Sequence, residues 1–246
     1  MYFKNKTKYP HLLLSLLLMA SAAAVEAQTV NPTAYYTDKD GTAVEETASI
    51  DDGEAPLTVE FRANPSDMGT KTPSYEWHLR YTSLSKDDPT EREIFMRNDE
   101  NTTYTFMESG NYKMTLRTFL TEGTDVDELD SVTISITIAE SKLEMPNAFS
   151  PNGDGINDIY RAKPEYKNIV SFRAIILNRW GQKLYEWNDP AGGWDGKFHG
   201  RDVNQGVYFV LVEAKGADGK DYKIKKDVNL LRGYTENGNT TGGGNE

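Results

Sequence analysis

The chain of 246 residues contains no cysteine, which excludes a disulfide framework, a cysteine nucleophile and a thiolate zinc site together. Histidine is nearly as scarce. Only His78 and His199 follow the first 27 residues, and neither belongs to an HExxH pattern. No GxSxG elbow supplies a serine for either of them. Basic residues are outnumbered, 27 against 38 acidic, for a formal charge of −11. That balance argues against nucleic acid as a partner, because phosphate contacts need clustered Lys and Arg. Long apolar runs are also missing. Leu12–Met19 is the one sustained stretch, well short of the ~20 residues a membrane span needs, so no transmembrane segment is expected in the mature chain.

That stretch has a different meaning. Lys4, Lys6 and Lys8 precede it, small residues follow, and Val25-Glu26-Ala27 fits the small-x-small pattern of signal cleavage. Residues 1–27 therefore read as an export signal. Beyond it, residues 28–142 hold 10 basic and 23 acidic side chains (net −13), whereas 143–246 hold 14 of each. The shift predicts two units, 28–142 and 143–232, joined near Glu140–Pro146. Residues 233–246 have no aliphatic side chain to bury and are expected to form a flexible tail.

Both units read as β-structure. Val132, Ile134, Ile136 and Ile138 alternate with polar residues, as do Tyr112, Met114 and Leu116. Further strands are expected at Leu57–Ala63, Ser74–Leu79, Tyr104–Phe106, Val170–Leu177, Leu184–Trp187, Val207–Ala214 and Tyr222–Val228. Val207–Ala214, apolar on nearly both faces, is expected to lie between two layers. No window shows a sustained helical period. The fold class that follows is all-β, with two immunoglobulin-like β-sandwiches in tandem.

The blocks Gly53-x-Ala55-Pro56-Leu57-Thr58-Val59-x-Phe61, Tyr75-x-Trp77, Thr103–Phe106 and Glu108-Ser109-Gly110-Asn111-Tyr112 resemble a PKD domain, an immunoglobulin-like module of secreted bacterial proteins. Gly110 suits a tight turn before a strand, and Trp77 suits a sandwich centre. The chain departs from that pattern at His78–Tyr81, where relatives carry a Gly-Asp-Gly turn. It also has a long charged insertion at Thr82–Glu100.

Four ordered blocks in the second unit are Pro146–Asp158, Asn178-Arg179-Trp180-Gly181, Trp194-Asp195-Gly196 and Gly206-Val207-Tyr208-Phe209. Together they resemble the gliding-motility-associated C-terminal domain, the type B sorting signal of the type 9 secretion system. The resemblance implies a folded sandwich recognised by outer-membrane translocon proteins, so the chain is expected in the periplasm, at the outer membrane or on the cell surface. Trp and Arg are favoured interface residues. The expected partner-binding residues are Asn178, Arg179, Trp180, Gly181, Trp194, Asp195 and Gly196, with core packing as the competing reading for Trp180 and Trp194.

Asn152, Asp154 and Asp158 set oxygen ligands at alternate positions, as in half of a calcium loop. A complete loop would carry Glu where this chain has Arg161, so a structural turn is expected and calcium is the alternative. No other cofactor is expected. Lys223, Lys225 and Lys226 suit outward positions on an edge strand. Asp130-Ser131-Val132 matches a short bacterial O-glycosylation motif. No constellation supports catalysis. Proteins with such a sorting signal are usually long adhesins or enzymes, whereas the cargo here is one small domain. The leading expectation is therefore a non-enzymatic accessory or signalling component docked on the translocon. The alternative is a surface-displayed module whose PKD-like domain binds a glycan or protein ligand through Thr82–Glu100.

Overall fold

A computed structural model describes residues 27–233 apart from 86, 88 and 89. It contains β-strands, turns and irregular segments, with no helix among the described residues. Residues 1–26 of the expected export signal and 234–246 of the expected tail lie outside them. No helix of the described residues is long and apolar enough to cross a membrane.

The first half contains β1 (Thr29–Val30), β2 (Thr33–Thr37), β3 (Ala43–Glu46), β4 (Ser49–Gly53), β5 (Leu57–Arg62), β6 (Pro65–Ser66), β7 (Thr72–Thr82), β8 (Glu91–Arg97), β9 (Asn101–Phe106), β10 (Gly110–Glu122) and β11 (Asp125–Ile138). Two sheets, ordered β3-β2-β5-β9 and β4-β11-β10-β7-β8, make the sandwich. Alternation sends Leu57, Val59 and Phe61 inward from one sheet. Trp77, Leu79, Met114, Leu116, Ile134, Ile136 and Ile138 come inward from the other. The indole of Trp77 is fully buried, and its Nε1 donates to Asp99 O at 3.0 Å.

The second half contains β12 (Ala148–Phe149), β13 (Ile169–Leu177), β14 (Lys183–Trp187), β15 (Lys197–Phe198), β16 (Arg201–Asp202), β17 (Gly206–Gly216) and β18 (Asp221–Leu230). Its main sheet runs β12-β18-β17-β13-β14. Phe172, Ala174, Ile176, Val210, Val212, Val228 and Leu230, with Phe149 of β12, face a core closed from the other side by Met145, Tyr160 and Trp194. The chain carrying these last residues is mostly irregular, pinned by isolated bridges Lys142–Lys167 and Tyr160–Trp194.

Several expectations change. β17 is central within its sheet but is covered on one face only, so Val207 and Phe209 stay 51% and 38% exposed. Their apolar character had placed them between layers. The insertion Thr82–Glu100 contains edge strand β8, whose Ile94 and Phe95 pack on the first core while its charged residues make cross-strand ion pairs. Gly110 is no turn residue. It opens β10, where a Cβ would overlap the Tyr81 ring. Lys226 turns inward, with Nζ donating to Met145 O and Asn147 Oδ1.

The two cores meet at a polar seam. Asn168, 3% exposed and at φ +53°, accepts from Ala55 N through Oδ1 at 2.8 Å. Its Nδ2 donates to Ala139 O at 2.9 Å and Glu140 O at 3.3 Å. Its carbonyl accepts from Ala217 N at 2.8 Å, and Ala217 O accepts from Ser109 N at 3.0 Å. Ala217 itself packs into the first core. Ser141 donates from N and Oγ to the Asp218 carboxylate at 3.0 and 2.7 Å.

Candidate functional site

β13 and β14 are joined by the turn Asn178–Gln182, which the Asn178 side chain organises. Asn178 Oδ1 accepts from Trp180 N and Gln182 N, both at 3.0 Å, and Nδ2 donates to Gln182 Oε1 at 3.0 Å. Gly181 N donates to Asn178 O at 2.9 Å, and its φ of +79° needs a residue without Cβ. The turn is therefore set by its own sequence, and it presents Trp180 at 77% exposure. The Arg179 guanidinium lies 4.5 Å over the ring centre, so a flat apolar face and a positive charge are offered together.

Trp180 stands at the mouth of a cleft of about 660 Å³, whose apolar wall comes from Leu184, Phe198, Val207, Tyr208 and Phe209. The Tyr208 hydroxyl donates to Asn204 O at 2.7 Å, and burial raises its phenol above the ordinary tyrosine range. Phe198, Val207 and Phe209 were not expected at a surface site. For the last two the sequence offered only the Gly206-Val207-Tyr208-Phe209 block, whose apolar residues read equally as core.

Trp194, Asp195 and Gly196 sit differently. Trp194 is fully buried, meets Tyr208 edge to face with ring centres 5.1 Å apart and donates Nε1–H to Lys197 O at 2.7 Å. Its ring therefore has no surface to offer a partner. Asp195 Oδ1 accepts from Lys197 N at 3.1 Å. Gly196, at φ +76°, presents its carbonyl to Arg232 Nη2 at 2.7 Å. Arg232 also donates to Val203 O and Pro151 O at 3.1 and 3.2 Å, clasping three loops. The structure thus brings Asn178–Trp180 together with Gly206–Phe209 around one cleft and puts Trp194–Gly196 beneath and behind it.

The loop holding Asn152, Asp154 and Asp158 is knitted from within. The Asp158 carboxylate accepts from Gly153 N at 2.7 Å and Gly155 N at 2.8 Å, and these two amides hold it below the usual carboxylate range. Asn152 Oδ1 accepts from Asp154 N at 3.0 Å, and Asp154 Oδ1 from Ile156 N at 2.8 Å. All three side chains thus accept hydrogen bonds from the loop's own amides.

No curated protein matches the chain. Among solved structures it is similar to the crystal structure of a tetra-tandem repeat in the extending region of a large adhesion protein. Identity is 14% and the TM-score 0.24, over 83% of this chain and 67% of that one. The stretch that carries the exposed turn, the buried Trp194 block and the cleft, residues 143–227, matches the CHU_C Type IX secretion signal domain.

Proposed function

We propose that the protein is a non-enzymatic envelope component that docks on the outer-membrane translocon of the type IX secretion system as an accessory or signalling part. The signal domain implies export to the cell surface or outer membrane and contact with the secretion machinery. The observation carrying the finer reading is Trp180, held 77% exposed on a self-ordered turn beside an aromatic cleft inside the signal domain. An exposed tryptophan continuous with an apolar cleft makes a patch of the kind that marks interaction sites, and Trp and Arg recur as interface anchors. On this reading Asn178–Gly181 and Phe209 meet the translocon, while Trp194–Gly196 supports them from behind. Residues 28–142 are then a PKD-like companion, in an architecture similar to the small translocon-associated protein PorA.

A resident role also suits the seam. A sorting tag awaiting removal needs only a loose tether, whereas here Asn168 and Ala217 bond the signal domain directly to the first core. The test is affinity purification of the tagged protein from gently solubilised envelopes of its host, with Trp180→Ala in parallel. An uncleaved chain recovered with the translocon barrel, and lost with the variant, supports the reading. Recovery from the surface or medium without the barrel makes the protein displayed cargo, with a glycan or protein ligand to be sought for residues 28–142.

A further inference from the structure

β11 is 14 residues long, and only its end is covered on both sides. β10 accompanies it from Asp125 to Ile138, whereas on the other side β4 pairs with Ser135, Ile136 and Ile138 alone. Asp125–Thr133 therefore has no strand partner on that side among the described residues. An open edge holds its backbone extended and ready to pair, which is the form in which a second protein takes hold of a peptide by strand addition.

The ladder with β10 slips within this stretch. Thr118 pairs with Asp130 and Phe119 with Glu128, so Leu129 has no opposite number and packs on the first core. A bulge of this kind bends the strand, and it does so just before Asp130 and Ser131, both exposed. Asp130 Oδ1 accepts from Ser131 N at 2.7 Å, which fixes the carboxylate against the serine. The Ser131 hydroxyl has no hydrogen-bond partner among the described residues. Thr133, two residues on, differs: its hydroxyl is tied to that of Thr115 at 2.8 Å. Asp130-Ser131 is also the only Asp-Ser or Asp-Thr step in the chain, and Val132 completes the short O-glycosylation motif. The single copy of that motif thus falls on an open edge, with its hydroxyl free and its carboxylate held in place.

We infer that Ser131 is a glycosylation site, modified by an envelope transferase that reads Asp130 and the extended backbone beside it. The donor is a sugar joined through its anomeric carbon to a phosphate or pyrophosphate carrier. Ser131 Oγ attacks that carbon and the carbon–oxygen bond to the phosphate breaks. The phosphate leaves with the bonding pair, and the hydroxyl proton passes to a base of the transferase. A glycan is bulky and hydrophilic, so at this position it also closes the open edge to a stray strand. The site belongs to the first half, outside residues 143–227, and does not depend on docking through the Trp180 cleft.

Mass spectrometry of the full chain purified from envelopes of its own host tests the inference, on the intact protein and on its peptides. Wild type is expected to carry a sugar increment that fragmentation places on Ser131. Ser131→Ala should lose it. Ser131→Thr, which keeps a hydroxyl nucleophile, should retain it, and Asp130→Asn should lose most of it. All three changes are at exposed positions, and thermal melts confirm that each variant folds. A wild-type chain with unmodified Ser131 would overturn the inference. So would an increment that persists in Ser131→Ala, or one as complete in Asp130→Asn as in wild type.

Discussion

Replacing Asn168 by alanine removes the one side chain that ties the signal domain to three backbone groups of the preceding half. Two effects add. Ala55 N loses a buried acceptor at 2.8 Å, while Ala139 O and Glu140 O lose a donor; leaving one such buried group unpaired costs about 1–3 kcal/mol. The position also has φ of +53°, a left-handed conformation that asparagine tolerates and alanine resists by about 1 kcal/mol. The sum, about 2–4 kcal/mol, corresponds to a melting shift of roughly 4–16 °C for a domain set of this size. Asn168→Gly separates the two effects: it removes the backbone conflict, keeps the hydrogen-bond loss, and should recover about 1 kcal/mol relative to alanine. The assay is thermal and urea unfolding of all three proteins, with limited proteolysis across Glu140–Pro146 as the local readout. Faster cutting there is expected in both variants. If Asn168→Ala melts within ~2 °C of wild type and the seam resists protease equally, the idea that this side chain locks the two halves is refuted.

The two tryptophans of the signal domain should behave oppositely. Trp180→Ala should leave stability within about 0.5 kcal/mol while abolishing translocon capture, whereas Trp194→Ala should cost about 3–5 kcal/mol in urea unfolding. Gly110→Ala forces a methyl into the Tyr81 ring and should destabilise the first core by about 1–3 kcal/mol, measurable as a lower urea midpoint. Because Gly153 and Gly155 amides lower the folded-state pKa of Asp158, its stabilising contribution is full above the unfolded value near ~3.9 and is lost as pH falls through the lower folded value. Exchange protection of those two amides should be constant from about pH 5 upward and fall only in that acid window, and Asp158→Asn should show weaker protection without the acid step.

Strand content was legible because period two is a local property. Val132–Ile138 and Tyr112–Leu116 announced β11 and β10 without any partner being known. What sequence could not give was which side of a strand another layer would cover. Val207 and Phe209 are apolar, and only the absence of a second layer over β17 turns them outward. Trp180 and Trp194 both stand near a glycine in turn-rich sequence. What separates them is that Trp194 bonds to Tyr160 through backbone groups 34 residues apart in the chain, a long-range pairing that leaves no local mark. Asn168 was invisible for the same reason, since its partners Ala55 and Ala139 are remote. The charged insertion concealed β8 because Glu91, Glu93 and Arg97 crowd around its two core-facing residues.

The pairing of Phe149 with Leu230 and the Arg232 clasp on Pro151, Gly196 and Val203 bear on the order in which the two halves fold. A chain synthesised from its N-terminus presents Phe149 some eighty residues before Leu230, its partner in the strand that completes the sheet. Until then the half-made sheet lacks its neighbour and the three loops stay apart, because contacts this distant in sequence form late. The first sandwich, whose strands all precede Ala139, is able to fold before the remainder has been made. The sheet edge and the loop clasp are complete only once residue 232 is available, so a polypeptide cut short before that point lacks the strand that pairs with Phe149 and the guanidinium that joins Pro151, Gly196 and Val203.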